Sequence, residues 1–383
     1  MIMKKLNYIF LFFILIFFKN ISFADSLNTN KLAISYANLV SHYYSETVAE
    51  TNYMLVAIKK FLSDPNEKNL NNAKIRWIKA REVYGITEAF RFYGGPIDGT
   101  NQYGEEGPEG LINSWPLNEA YIDYVKGDPS AGIINNLNYD INKTTIIASN
   151  QSDDDADVST GWHAIEFLLW GQDSSLETAG QRQYSDYISN NGNNDRRREY
   201  LLKVSELLME HLIWLDNQWQ PDGAGRKDFL QKQNPGSSIL TGIATLAGFE
   251  LSSERIATAL DSGDPEDEHS CFSDQTHLDI KANFNGIKNV YLGLGINGEK
   301  FTPAISDLIK DNNKQLHEEI LNSFNSISEN IQNITVPFDK MLTETKNEPG
   351  RIAAENTVSN LIILAENFLR AGKELNWNVI IAE

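Results

Sequence analysis

The sequence predicts an all-α protein made of two helical bundles related by an internal duplication. Apolar residues recur every three or four positions along most of the 383-residue chain, and no stretch alternates at period two for long enough to demand a sheet. The two halves also repeat one order of events: a long helix, a second helix ending in a charged segment, a Gly/Pro/Asp loop, then further helices. Thr87-Glu88-Ala89-Phe90-Arg91 before Gly94-Gly95-Pro96 corresponds in this way to Ser253-Glu254-Arg255-Ile256 before Gly263-Asp264-Pro265. A hydrophobic share of 41% is ample for such cores and excludes a disordered chain.

The first residues read as an export signal. Lys4 and Lys5 precede an apolar run from Leu6 to Phe18, interrupted only by Asn7, and Ser22-Phe23-Ala24 supplies small residues at a cleavage point. The run falls short of the roughly 20 residues of a membrane span, so the division is a signal peptide over 1–24 and a mature chain from Asp25, in the periplasm or associated with the outer membrane. An uncleaved N-terminal anchor is the competing reading.

From Ile34 the apolar stripe Ala37, Val40, Tyr44, Val48, Thr51, Leu55, Ile58, Leu62 marks a first helix, ended by Ser63-Asp64-Pro65. A second helix, about Glu67 to Arg91, carries Trp77, Arg81, Tyr84, Glu88 and Arg91 along one stripe, a mixture of aromatics and charges unusual for a plain core face. Breaker-rich loops follow at 93–99 and 104–110. A helix is expected to start at Pro116, where a missing N–H costs nothing, and Thr144 to Ala148 is a short strand or an exception. Gln151 to Thr160 is an acidic loop, with Ser159 or Thr160 as cap for the helix after it.

The periodicity restarts at Leu201 and continues through Val204, Leu208, Leu212, Leu215 and Trp219. This places an N-terminal bundle at 25–195 and a C-terminal bundle at 196–383. Pro235-Gly236-Ser237-Ser238 opens a helix over Ile239 to Leu260, and an acidic loop runs from Asp261 to His269. Helical spacing returns over Leu316 to Ile331 and Val358 to Leu369.

Losing Lys4, Lys5 and Lys19 with the signal takes the net charge from −19 to −22. Such acidity argues against nucleic acid as a partner and suits attraction of cations. Cys271 is the single cysteine, which excludes an intramolecular disulfide, a cysteine-based zinc site, an iron–sulfur cluster and a CxxCH haem attachment.

The chemistry concentrates in Gly161-Trp162-His163-Ala164-Ile165-Glu166. Three residues apart on a helix, His163 and Glu166 share one face, and burial among Ile165, Phe167, Leu168 and Trp170 demands that something satisfy them. The plain alternative is a helix histidine salt-bridged to its neighbour. Imidazole with carboxylate suits iron, zinc or copper, but two ligands are too few. Glu88 and Asp98 are the candidates for the others; Glu88 could instead pair with Arg91 or Arg81, and Asp98 could be a turn residue after Pro96. Arg81, Glu82, Trp115, His269 and Asp274 are expected at an interface or ligand pocket where the bundles meet, although the loop around His269 also reads as a solvated acidic segment. Asp153, Asp155 and Asp157 imitate an EF-hand, but Val158 and Ala164 stand where it needs glycine and glutamate, so that type of calcium site is excluded. No H-E-x-x-H pattern, nucleophile elbow or phosphate-binding glycine loop occurs.

Gly161-Trp162-His163-Ala164-Ile165-Glu166 matches the GxHxxE motif of the imelysin family. Arg91 to Asp98, Trp115 to Val125 and Glu268 to Asp274 resemble its iron-regulated branch. The resemblance covers nearly the whole mature chain. It implies an exported protein of two helical bundles connected with bacterial iron uptake, binding iron or an iron-containing ligand at the HxxE pair with acidic residues of a preceding helix and loop. Its partners would be inner- or outer-membrane iron-transport components. The family also carries a peptidase label, so a metal-dependent peptidase is an alternative, though no second histidine completes a known hydrolytic set. A surface module in which the pair only pins the two bundles together is the third reading.

Overall fold

The computed structural model describes residues 2–100, 104 and 106–381, with side chains described from residue 30 onward. The expected signal segment, 1–24, lies outside the residues described in full. Among the described residues the regular structure is helical, with isolated bridges such as Thr100 to Glu106 in place of strands. No helix among them is long and apolar enough to cross a membrane.

Helix α1 (Ile2–Ser63) stops before Pro65, and Asn66 caps α2 (Glu67–Thr87) by accepting the Asn69 N–H at 3.0 Å. The predicted stripe of α2 is buried in full, Trp77, Arg81, Tyr84, Glu88 and Arg91 included. Its last turn tightens into a 3-10 turn, Glu88–Phe90, so the α-helix ends sooner than the spacing predicts.

Between 91 and 160 the chain makes only short helices. The helix expected from Pro116 is one turn, Glu119–Ile122, because Asp123 leaves the helix to accept hydrogen bonds from Arg182 at 2.8 Å and Arg197 at 2.6 and 2.9 Å. The segment 144–148 is helical, within Lys143–Ser149. Asn142 accepts the Thr145 N–H and the Thr145 hydroxyl accepts the Asn142 N–H, and this capping box outweighs the strand preference of the β-branched residues.

Helix α3 (Gly161–Trp170) is buried along its entire length. Thr160 occupies the N-cap position but its hydroxyl caps no N–H, and Ser159 bonds the Ile146 carbonyl. Helix α4 (Asn194–Trp219) buries the predicted Leu201, Val204, Leu208, Leu212, Leu215 and Trp219. Helix α5 (Pro235–Thr245) continues as a π-helix over Leu246–Ala257, so the single helix expected from Ile239 to Leu260 changes its winding midway. The wider turn brings Glu250 and Arg255, five residues apart, within 2.8 Å. Then come α6 (Thr276–Leu292), α7 (Lys314–Asn333) and α8 (Pro349–Glu374).

The helices gather into two groups. In the first, α2 and α4 pack on α1, and α3 packs on α2 and α4; in the second, α8 packs against α5, its π extension and α7. Helix α6 packs on α2 as well as on the second group. Two glycines permit this crossing. A Cβ on Gly85 would lie 2.8 Å from the Ala282 Cβ, and one on Gly286 would run into the Ile86 carbonyl. The close approach sets Asp279 of α6 beside Arg81 of α2, and the functional centre forms there.

Candidate functional site

The site is built from both groups of helices. Gly161 starts α3 at φ 86°, with the Ile112 carbonyl where a Cβ would stand, so glycine is needed for conformation and for space. From there the helical turn presents His163 and Glu166 together. His163 Nδ1 lies 2.9 Å from Glu166 Oε2, and Glu166 Oε1 accepts the Ser273 N–H at 3.0 Å and the Ser273 hydroxyl at 2.6 Å. Neither side chain is more than 1% exposed.

Arg81 occupies the centre of the cluster. Its Nε and Nη2 donate to the two oxygens of Asp279 at 3.1 and 3.2 Å, and its Nη1 donates to Asn113 Oδ1. Nη2 also stands 3.4 Å from His163 Nε2 and 3.3 Å from both ring nitrogens of His269. A guanidinium only donates, so His163 Nε2 accepts, and the proton of that ring sits on Nδ1 toward Glu166. His269 Nδ1 lies 2.9 Å from Asp279 Oδ2, which also accepts the Ser270 hydroxyl at 2.6 Å. The Trp115 ring meets the His269 ring edge-on at 5.5 Å, and its Nε1 donates to the Glu268 carbonyl at 2.6 Å.

Burial sets the protonation states. It drives His163 well below its ordinary range, with Arg81 and His269 adding to the effect, and takes His269 down to about 4, helped by Arg255 and opposed by Asp279. Both imidazoles are therefore neutral near pH 7. Burial raises the Glu166 carboxyl to about 8, against the Ser273 donors. It presses Asp279 upward too, but Arg81 and His269 overcome it and hold that carboxyl well below the usual range. Two neutral imidazoles thus flank one fixed cation in a sealed, largely aromatic setting.

Among the sequence candidates, His163, Glu166, Arg81, Trp115 and His269 come together here. Glu88 and Asp98 are bound elsewhere. Glu88 Oε2 accepts from Arg91 at 2.7 Å and Arg255 at 2.5 Å, within a buried network that includes Glu109 and Glu250. Asp98 Oδ2 accepts the Phe92 N–H at 2.5 Å and ties the turn after Arg91. Glu82 faces solvent. Asp274 directs its carboxylate toward Asp173 and Asp339; among the described residues this is the one group of three or more His, Cys, Asp or Glu with ligand atoms within 4.8 Å of one another.

Asp279, Asn113 and Ser273 escape the sequence reading. Asp279 is a charge on the buried face of α6, among Ile280, Asn283 and Ile287, and that is the one local signal it gives. Asn113 and Ser273 lie in breaker-rich loops and give none.

An all-helical body with a buried histidine, carboxylate and arginine centre between two helix groups defines a helical protein of the HxxE type. The imelysin family model (Peptidase M75) matches residues 40–367, and the chain belongs to that family. Iron-regulated protein A of Synechococcus elongatus is 21% identical over 324 residues, spanning 82% of this chain and 78% of the relative. Among solved structures, a putative iron-regulated protein A precursor from Parabacteroides distasonis superposes with a TM-score of 0.65 at 19% identity, covering 89% of this chain and 95% of its own. An imelysin-like protein from Psychrobacter arcticum also gives 0.65, at 12% identity and with 92% and 97% covered.

Proposed function

We propose that this is an exported protein that binds iron, or an iron-containing ligand, at the centre built on His163 and His269, and that it takes part in iron uptake across the cell envelope. The observation that supports the reading is a buried pair of neutral imidazoles facing one point; the positively charged Arg81 Nη2 stands there, so an iron ion would have to displace it, whereas an anionic iron-containing ligand would be met by it. A set of imidazole and carboxylate groups suits iron. Glu166 acts through His163: its Oε2 accepts the Nδ1–H and fixes the ring and its tautomer from behind. Arg81 and Asp279 set the charge of the centre, and Trp115 walls it.

Glu88 and Asp98 are left out of this donor set, since two guanidiniums hold one and a backbone N–H the other. The names of the relatives, iron-regulated protein A, support the iron assignment. Export and a periplasmic or outer-membrane-associated location rest on the N-terminal signal pattern, and inner- or outer-membrane iron-transport components are the expected partners.

The test is iron titration of the purified mature protein beside His163→Ala and His269→Ala, with circular dichroism to confirm folding. Loss of bound iron in both folded variants supports the reading. Equal iron stoichiometry in all three proteins overturns it.

A further inference from the structure

The other acidic cluster lies beyond the Glu166–Ser273 contact. Asp173 follows α3, Asp274 sits in the loop before α6, and Asp339 belongs to the short helix Phe338–Leu342. Each offers a carboxylate oxygen within 4.8 Å of the others. Asp173 and Asp339 line a cavity of about 190 Å³, together with Ser174, Asp264, Glu266 and Cys271.

Acidic groups often gather without consequence, but here one buried carboxylate oxygen that lines the cavity lacks a partner. Asp339 is 3% exposed, lines the cavity and leaves Oδ1 without a hydrogen bond. Glu268, fully buried, lies against Asp339, and burial together with that neighbour pushes its carboxyl up to about 11. Buried carboxylate oxygens are expensive to leave unsatisfied, and no arginine or lysine lines the cavity.

We propose a calcium site at the edge of this cavity, where the carboxylates of Asp173, Asp274 and Asp339 converge, with Glu266 at the rim. The donors are oxygens, with neither imidazole nor an ionised thiolate among the three, which selects a hard cation. Calcium takes six to eight oxygens in flexible geometry and accepts carboxylates from unrelated loops, and the half-buried Asp173 and Asp274 leave room for water to complete the shell. The ion would tie the segment after α3 to the loop before α6. Ser273, whose N–H and hydroxyl hold Glu166, precedes the ligand Asp274 directly.

The experiment is calcium titration by calorimetry, with thermal melts, on chelator-stripped mature protein, compared with Asp339→Asn, Asp274→Asn and the exposed loop variant Asp153→Asn. Wild type and Asp153→Asn are expected to bind one calcium ion and to melt about 3 °C higher at a hundredfold excess over Kd. Asp339→Asn and Asp274→Asn should fold, melt no lower than stripped wild type, and bind calcium at least tenfold more weakly. No calcium binding by wild type, equal binding by all four proteins, or tighter binding of magnesium or manganese than of calcium overturns the assignment. Because calcium is the probe and the variants lie outside the histidine centre, failure of the iron reading leaves this result standing.

Discussion

Arg81 and Asp279, 198 positions apart in sequence, meet through two hydrogen bonds of 3.1 and 3.2 Å at a point where each side chain is 3% exposed. The pair joins α2 to α6 and supplies the charge around which both imidazoles are arranged. Breaking it from one side leaves the other charge stranded, and that penalty is far larger than the net worth of the intact pair.

Asp279→Ala is therefore expected to destabilise the protein by about 3–5 kcal/mol, read from the shift of the denaturant midpoint. Replacing both residues with apolar ones of similar volume should cost clearly less than the single change. A double variant as unstable as Asp279→Ala would count against the stranded-charge argument.

Stability should fall in acid through His269. Its imidazole is held down to about 4, against an ordinary 6.5, so between those values the unfolded chain binds a proton that the folded protein refuses. The contribution is fully retained above pH 6.5 and is lost as pH drops toward 4, by up to about 3 kcal/mol. Subtracting the unfolding free energies of His269→Gln from those of wild type between pH 4 and 7.5 isolates this group from the carboxyls, of which the depressed Asp279 also loses stability in acid while the raised Glu166 gains it. A pH-independent difference would contradict the shift.

Glu88 is predicted to act on stability rather than on iron. Glu88→Ala removes one of the two carboxylates on the buried Arg255, Glu250 at 2.8 Å being the other, and should cost about 1.5–3 kcal/mol. Iron bound per folded molecule should match wild type. Iron loss without destabilisation would return Glu88 to the donor set.

Gly161→Ala tests the entrance to α3. A left-handed conformation costs an alanine about 1–2 kcal/mol, and the Cβ would also collide with the Ile112 carbonyl. A loss of at least about 2 kcal/mol in chemical denaturation is expected, with weaker iron binding as His163 shifts.

The sequence alone determined the helical class, most helix faces and the HxxE pair, because each depends on neighbours within one turn. The spacing of three that joins His163 to Glu166 is a property of any helix, and Asn66 before α2 and Pro65 after α1 act locally. The mixed stripe of α2 was legible too, and Arg81 and Glu88 on it are both buried as ionised groups.

Only the tertiary structure decided which charge each of them meets. Glu88 meets Arg255, which the π-helical winding turns toward it, and Arg81 meets Asp279, which the glycine-permitted crossing of α2 and α6 carries alongside. Asp274 stands next to Ser273 in sequence yet faces Asp173 and Asp339, while Ser273 faces Glu166. Pairing of buried charges is settled by desolvation and by the packing of distant segments, and neither leaves a periodic trace in the chain.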